Sequence, residues 1–374
     1  MDCPSGVDCQ QVPVRFDDAN DVSPWPLLRY ERRQRRLVAG LLRAQRFDVV
    51  HRVTPSGWKD SLLPVPTVPL ILGPILLSEP APPAFYSVFH PKLPRRWSVS
   101  AAVRRIQNGL ARRVFQRWST ADRLLEHATT ILVGTRTTLR RLPPGIRPRC
   151  RLVTYAGVEH DVYTPAPRRP ANRLPQVLFA GRVVPYKGVE LLLRAAARAR
   201  RSCRFELKFV GGGCGRYRTY CTRLAAAMGL RDVVSFIDNQ PRDALVSLYR
   251  AADVFCMPSL ETYGLAILEA MSCGCAALVS DINGPGEIVA DDCGVKVPLE
   301  SPEQCIRQLA DELVALIDDP QRRTELGGRA RERMIAHHDW RRIQEELTTV
   351  YDSVLLERGA PAPLETSHIV AATP

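Results

Sequence analysis

A chain of 374 residues is about twice the usual length of one domain, roughly 100–200 residues, so we expect two domains, each with its own core. Its composition of 45% hydrophobic, 24% charged and 7% aromatic residues excludes a fibrous, collagen-like or disordered chain. The formal net charge of +13 lies in the first half: residues 1–170 hold 27 Lys and Arg against 13 Asp and Glu, a balance of +14, whereas residues 171–374 hold 25 against 26.

The basic first half suits an anionic partner, such as a membrane surface, a nucleic acid or a phosphorylated substrate. No RNP-type, zinc-finger or helix-turn-helix pattern accompanies the charge, so we expect no nucleic-acid partner. Eleven cysteines at irregular spacing, without a CxxC pair, predict reduced thiols rather than a disulfide framework or a zinc site. The N-terminus lacks a signal peptide, and four prolines interrupt the longest uncharged stretch, residues 61–78. We therefore expect a cytoplasmic protein without a membrane span.

The first half predicts an α/β domain that is incomplete. Short apolar runs indicate strands at residues 47–51, 69–72, 130–134 and 150–155. Two helices, predicted at residues 30–47 and 98–118, are basic and amphipathic. Each either lies on an anionic lipid surface or is a core helix with a solvated basic face, and the sequence leaves both readings open. A cluster of proline and arginine at residues 165–170 predicts the linker to a second domain.

The second half alternates apolar runs with helical stretches, as expected of a doubly wound parallel sheet. Strands are predicted at residues 176–180, 205–210, 233–237, 253–257, 276–280 and 294–297. Helices are predicted between them at residues 188–201, 218–228, 242–251, 265–273 and 286–290, and three more follow at 302–317, 322–337 and 340–356.

A pair of cations follows the first strand of this second domain. Gly181 ends the strand, and Arg182 and Lys187 come directly after it. Because ligands bind beyond the carboxyl ends of the strands in such a sheet, two cations there suit a diphosphate. The alternative is a basic pair with a purely structural role at a helix start.

A pair of carboxylates follows the strand at residues 253–257. Glu261 lies in the loop and Glu269 eight residues later, two helical turns along, so both face one crevice above the amino end of a helix. The free amides of Tyr263, Gly264 and Leu265 would bind phosphate oxygens there, and carboxylates suit sugar hydroxyls. The alternatives are a glutamate stabilised by the helix dipole for Glu261 and a solvated helix residue for Glu269.

These spaced motifs resemble the family 4 retaining glycosyltransferases of the GT-B fold. They are Gly-Arg-x4-Lys-Gly at residues 181–188 and Glu-x7-Glu at 261–269, supported by the stretches 209–213, 283–289 and 293–298. The resemblance covers about residues 150–357. It implies two Rossmann-like domains with doubly wound parallel sheets that face each other across a cleft.

The resemblance also implies a role for each matching residue. Arg182 and Lys187 would neutralise the diphosphate of a nucleotide sugar, Glu261 would hold the transferred sugar, and Glu269 would bind the ribose. It assigns catalysis to Arg182, Lys187, Glu261 and His51, and donor binding to Gly181, Ile237, Asp238, Thr262, Tyr263, Gly264, Leu265 and Glu269. It implies no cofactor and no metal, since cations and amides stabilise the leaving diphosphate, and it implies retention at the anomeric carbon.

The resemblance weakens in the first half. His51 ends a strand that in many relatives carries two histidines, but the second position is Val53 here, and a satisfied structural histidine is the alternative. Relatives also begin with a strand and a glycine-rich loop that we do not find before residue 47. We therefore expect either a fragment from a misassigned start or a member that has lost an acceptor-side element. The expected domains are a truncated, basic acceptor-side domain (1–170), a donor-binding domain (171–340), and a helix crossing back to the first domain before a disordered tail (341–374).

The sequence therefore predicts a retaining hexosyltransferase that transfers a sugar from a nucleotide sugar to a glycan or a lipid-linked acceptor. Such a reaction belongs to polysaccharide or cell-envelope synthesis, and the basic domain would contact the inner face of an anionic membrane. Two alternatives stay open: an inactive nucleotide-sugar-binding protein, and another enzyme with the same fold, either an epimerase of nucleotide sugars or a phosphorylase. The sugar, the base, the acceptor and the oligomeric state are not readable from the motifs.

Overall fold

The computed structural model describes residues 7–9, 24–53, 61–89, 91, 113, 117, 119–166, 173–213, 215–357 and 369–371. Residues 167–170 of the linker predicted at 165–170 and most of the basic helix predicted at 98–118 lie outside these residues. Two separate parallel sheets form the frame of the molecule, and we name the lobe around each sheet the N-terminal and the C-terminal lobe. A short parallel pair, β1 (Val7–Cys9) with β12 (Ile369–Ala371), lies apart from both sheets.

The N-terminal lobe contains a four-stranded parallel sheet in the order β2-β3-β4-β5. Its strands are β2 (Val50–Arg52), β3 (Leu70–Ile75), β4 (Thr130–Val133) and β5 (Cys150–Leu152). The central strands β3 and β4 are uninterrupted apolar runs, as expected of strands covered on both faces, and nearly all of their residues are buried. The helices beside this sheet are Pro24–Ala44, Ala121–His127 and Arg136–Arg141, whereas the short helix Tyr86–Phe89 packs through Phe89 into the core of the C-terminal lobe.

The C-terminal lobe contains a six-stranded parallel sheet in the order β11-β10-β9-β6-β7-β8. Its strands are β6 (Gln176–Ala180), β7 (Glu206–Val210), β8 (Val234–Ile237), β9 (Val254–Met257), β10 (Ala276–Ser280) and β11 (Gly294–Val297). Its helices are Val189–Ala199, Gly215–Ala227, Arg242–Ala251, Leu265–Ser272, Asn283–Ile288, Pro302–Asp318 and Pro320–His337. The predicted α/β fold with doubly wound parallel strands is confirmed.

The strand order reverses between β6 and β9. The chain runs outward from β6 through β7 and β8, and then returns to β9 on the other side of β6. In open α/β sheets the crevice at such a reversal, beyond the carboxyl ends of the strands, is where ligands bind. The residues that follow β6 and β9 therefore lie at the expected ligand position.

The last helix, Trp340–Leu356, packs against the N-terminal sheet rather than against the lobe that precedes it in the chain. Its buried Val350 and Val354 contact Ile71, Leu132 and Val153. The N-terminal sheet is thus covered by a helix that lies some 200 residues later in the sequence. Among the helices in the described parts of the chain, none combines the length and apolarity that crossing a bilayer requires.

Candidate active site

A cavity of about 860 Å³ lies between the two lobes. The N-terminal lobe contributes the segment after β3, including Leu76 and Glu79, together with Tyr155. The C-terminal lobe contributes the loops that follow β6, β7, β8 and β9. We name this space the interlobe cavity; its C-terminal wall includes Gly181, Arg182, Tyr186, Lys187, Gly211, Asn239, Gln240, Tyr249, Thr262, Tyr263, Gly264, Leu265 and Glu269.

Two glycines bring the loop after β6 against the end of β9. Gly181 has a φ of +147°, and a Cβ there would lie 3.3 Å from the Nζ of Lys187. Gly188 has a φ of +74°, and a Cβ there would lie 1.9 Å from the carbonyl oxygen of Pro258. Because only glycine adopts these backbone angles readily and leaves this space, the sequence Gly-Arg-x4-Lys-Gly encodes the close approach of two loops.

That approach joins two of the predicted functional groups. The ammonium group of Lys187 forms a salt bridge with Oε1 of Glu261, and both side chains are largely buried. The other carboxylate oxygen, Oε2, is buried and has no hydrogen-bond partner among the residues that the structure describes. Arg182 is exposed and donates from Nη2 to the hydroxyl of Tyr186 at 2.6 Å. One predicted cation therefore pairs with a carboxylate, and the other lies at the solvent-facing side of the cavity.

The amino end of the helix Leu265–Ser272 opens onto the same space. Gly264 is its N-cap with a φ of +145°, and the four residues from Thr262 to Leu265 line the cavity. The phenol of Tyr263 is buried against Tyr155, with ring centroids 5.1 Å apart. Tyr263 therefore presents its backbone to the cavity, and the first-turn amides supply the positive end of the helix dipole.

Glu269 lies on the same helix, about one turn beyond its amino end, and its carboxylate is held by two tyrosines. The hydroxyl of Tyr163 donates to Oε1 at 2.9 Å, and the hydroxyl of Tyr249 donates to Oε2 at 2.7 Å. Burial, reinforced by the adjacent carboxylate, raises the pKa of Tyr163 to about 12, and the same causes raise the pKa of Tyr249 well above its ordinary value. Both phenols stay protonated and act as donors. Neither tyrosine is predicted from the sequence, because no local pattern marks a phenol that bonds to a carboxylate far away in the chain.

The structure does not bring Ile237 and Asp238 to the cavity wall. Asp238 is exposed and forms a salt bridge with Arg218. The next two residues, Asn239 and Gln240, line the cavity instead, and Oδ1 of Asn239 accepts a hydrogen bond from the amide of Gly212 at 2.6 Å. The loop after β8, which is predicted to bind the donor, is thus at the cavity, but it presents residues one or two positions further along the chain.

His51 does not line the cavity either. Its Nδ1 lies 2.6 Å from the hydroxyl of Tyr351 and its Nε2 lies 3.0 Å from the carbonyl oxygen of Gly73. Burial lowers the pKa of this imidazole below its ordinary value. Both ring nitrogens are engaged by the last helix and by β3, which is the arrangement of a satisfied structural histidine.

Two residues after β10 connect the lobes beside the cavity. Oδ1 of Asn283 accepts a hydrogen bond from the amide of Glu79 at 2.6 Å. The carboxylate of Glu287 accepts from the amides of Arg136 and Thr137 at 2.7 and 2.8 Å, at the amino end of the helix Arg136–Arg141. These contacts place the stretch 283–289, which carries no predicted role, at the boundary between the lobes.

The C-terminal lobe is similar in sequence to known glycosyltransferases. The family model described as "Glycosyl transferases group 1" matches residues 165–333. The D-inositol 3-phosphate glycosyltransferase of Kineococcus radiotolerans is 32% identical over 263 residues, 64% of this chain and 60% of that protein. The protein of the same name from Streptosporangium roseum is 39% identical over 176 residues, 42% of this chain and 40% of that protein. The chain thus spans less than two thirds of the length of these curated relatives.

Solved structures share the fold at low sequence identity. Sucrose-phosphate synthase from Thermosynechococcus elongatus has a TM-score of 0.63 at 21% identity, over 90% of this chain and 80% of its own. Anabaena HepE, solved in complex with UDP and glucose, has a TM-score of 0.59 at 18% identity, over 85% of this chain and 82% of its own. The chain therefore has the GT-B fold, and residues 165–333, which form most of the C-terminal wall of the interlobe cavity, match the model of the group 1 glycosyl transferases.

Proposed function

We propose that this chain transfers a sugar, with retention at the anomeric carbon, from a nucleoside-diphosphate sugar to a hydroxyl of a glycan or lipid-linked acceptor. One observation carries the proposal. The Lys187–Glu261 pair, the amino end of the helix Leu265–Ser272 and Glu269 face a single cavity at the reversal of the strand order. The cation and the amides suit a diphosphate, and the two carboxylates suit the hydroxyls of a ribose and a hexose.

Each group has a chemical task in this reaction. Cleavage of the bond between sugar and diphosphate leaves negative charge on a phosphate oxygen and oxocarbenium character on the sugar. Lys187, Arg182 and the first-turn amides would stabilise the leaving diphosphate, and preorganised stabilisation of this kind is usually the largest contribution to catalysis. Glu261 would accept hydrogen bonds from the transferred sugar, and Glu269 from the ribose hydroxyls. These groups supply the charge without a metal, so we expect EDTA to leave the transfer rate unchanged.

The acceptor would bind on the N-terminal side of the cavity. The first half of the chain is basic as a whole, which favours an anionic acceptor through long-range attraction, whereas the described residues that it contributes to the cavity wall include Glu79 and no Lys or Arg. The curated relatives are named for transfer to D-inositol 3-phosphate, which is such a molecule, and HepE was solved with UDP and glucose. We propose a role in polysaccharide or cell-envelope synthesis, with the basic lobe at the inner face of an anionic membrane. Co-sedimentation with phosphatidylglycerol vesicles tests the membrane contact.

Calorimetry tests the donor site first. UDP, GDP, ADP and dTDP, each with its common sugars, are titrated into the wild-type chain and Glu269→Ala. We expect one nucleotide to bind to the wild type and to bind about tenfold or more weakly to Glu269→Ala, because the variant lacks the acceptor of the ribose hydroxyls. Turnover is then followed as release of the nucleoside diphosphate together with a glycosylated acceptor. Binding without turnover across a broad acceptor panel would favour a binding protein, and conversion of the donor sugar without transfer would favour an epimerase.

A further inference from the structure

The carboxylate of Glu269 is held by side chains from two separate parts of the chain. Tyr249 lies on the helix Arg242–Ala251 and is fully buried, and Tyr163 lies in the segment that follows the N-terminal sheet and is 6% exposed. Their hydroxyls donate to different oxygens of the carboxylate, at 2.7 and 2.9 Å. The carboxylate is therefore fixed at both oxygens before any ligand enters the cavity.

Tyr163 is itself anchored to the C-terminal lobe through its backbone. Its carbonyl oxygen accepts hydrogen bonds from the hydroxyl of Ser272 at 2.8 Å and from Nη1 of Arg331 at 3.0 Å. Arg250 donates to the carbonyl oxygen of Thr164 at 2.9 Å and to its hydroxyl at 2.6 Å. Because the backbone on both sides of the phenol is held, the hydroxyl of Tyr163 has a defined position relative to Glu269.

The remaining acceptor capacity of Glu269 matches a vicinal diol. An ionised carboxylate offers about four lone-pair sites, two on each oxygen. The tyrosines use one site on each oxygen, and Glu269 lines the interlobe cavity. Among the residues that the structure describes, no other group bonds to this carboxylate, so one site on each oxygen is left for a ligand and two adjacent hydroxyl groups would be accepted side by side.

We propose that Tyr163 and Tyr249 are positioning residues that orient Glu269 so that it selects nucleotides by their two ribose hydroxyls. This inference rests on the proposed function, because it requires a nucleotide in the interlobe cavity. Tyr249 also lines the cavity, but in this role both tyrosines act by holding the carboxylate that accepts the ribose hydroxyls. Loss of either hydroxyl frees the carboxylate to rotate, and the selection for the diol weakens while binding of the diphosphate and base persists.

The experiment compares ribonucleotides with their 2′,3′-dideoxy counterparts. UDP, ADP and GDP and the three dideoxy forms are titrated into the wild-type chain, Tyr163→Phe, Tyr249→Phe and Glu269→Gln. Tyr220→Phe is the matched control, since Tyr220 donates to Glu190 at 3.0 Å in the same lobe and does not line the cavity. Circular dichroism and thermal unfolding establish that each variant is folded.

The ratio of the two affinities is the readout. For the wild type we expect a ratio of about tenfold or more in favour of the ribonucleotide, because hydrogen bonds to a charged group are strong. Tyr163→Phe and Tyr249→Phe should reduce the ratio to about threefold or less, with little change in affinity for the dideoxy form. Tyr220→Phe should keep the wild-type ratio. If Tyr249→Phe does not fold, Tyr163→Phe decides alone.

The outcomes separate the inference from the proposed function. If the wild type binds none of the six nucleotides, the proposed function fails and the inference fails with it. If the wild type binds a ribonucleotide more tightly than its dideoxy form and Glu269→Gln binds the two equally, the proposed donor site is supported. An unchanged ratio in Tyr163→Phe would then overturn the positioning role, as would an equal loss of affinity for both forms of the nucleotide.

Discussion

Replacing Lys187 with methionine removes the cation from a largely buried ion pair. The exposed fractions of the two side chains are 10% for Lys187 and 18% for Glu261, and one oxygen of Glu261 is already buried without a partner among the described residues. The variant would leave this carboxylate unpaired in the wall of the cavity. Both stability and diphosphate binding should therefore fall.

The structure sets the size of the expected loss of stability. Breaking a buried pair by removal of one partner costs about 3–5 kcal/mol of unfolding free energy. The residual exposure of both groups points to the lower end, so we expect about 3 kcal/mol for Lys187→Met. Replacing both members with apolar residues of similar volume is often neutral, so Lys187→Met combined with Glu261→Met should recover most of the loss.

Urea denaturation followed by circular dichroism measures the unfolding free energies of the wild type, Lys187→Met, Glu261→Met and the double variant. Lys296→Met is the matched control, because Lys296 pairs with Asp291 at 2.7 Å while 90% of the Asp291 side chain is exposed, and such surface pairs contribute about 1 kcal/mol or less. Additive losses in the double variant would refute the coupling. If Lys187→Met lost no more stability than Lys296→Met, the buried Lys187–Glu261 pair would not stabilise the fold more than a surface pair does.

Three further predictions follow from individual contacts. Burial lowers the pKa of His338 to about 4, below the ordinary value, so the unfolded chain takes up the proton first as pH falls. Unfolding free energy should therefore drop by up to about 3 kcal/mol between pH 6.5 and 4, and His338→Gln should flatten that part of a urea denaturation series. Glu287→Ala removes the carboxylate that caps a helix of the opposite lobe and should lower the denaturation free energy by about 1 kcal/mol; no change would mean that the contact between lobes is dispensable. Gly188→Ala combines a left-handed φ with a Cβ 1.9 Å from the Pro258 carbonyl and should lose about 3 kcal/mol in the same assay, whereas Gly215→Ala, with open space around its Cβ, should be nearly neutral.

The sequence predicted the C-terminal sheet closely. Three of its strands, β6, β10 and β11, have the predicted bounds, and the other three begin one residue later than predicted. The central strand β9 is buried on both faces and is apolar throughout, whereas strands nearer the edges of the sheet include polar residues such as Lys208 and Lys296 among their apolar ones. The N-terminal strands deviate more: β2 begins at Val50 rather than at residue 47, and β3 extends to Ile75 beyond the predicted residue 72.

The sequence by itself also determined which charged residues to expect at the carboxyl ends of β6 and β9, because their order along the chain and their turn glycines are local features. Only the tertiary structure decided how these groups meet. Lys187 pairs with a carboxylate 74 residues away, and Tyr163 reaches Glu269 across 106 residues. His51 has a structural role because its imidazole bonds to the hydroxyl of Tyr351, 300 residues later in the chain. Hydrogen bonds and ion pairs of this kind depend on distance in space and on burial, and neither quantity is contained in the spacing of residues along the chain.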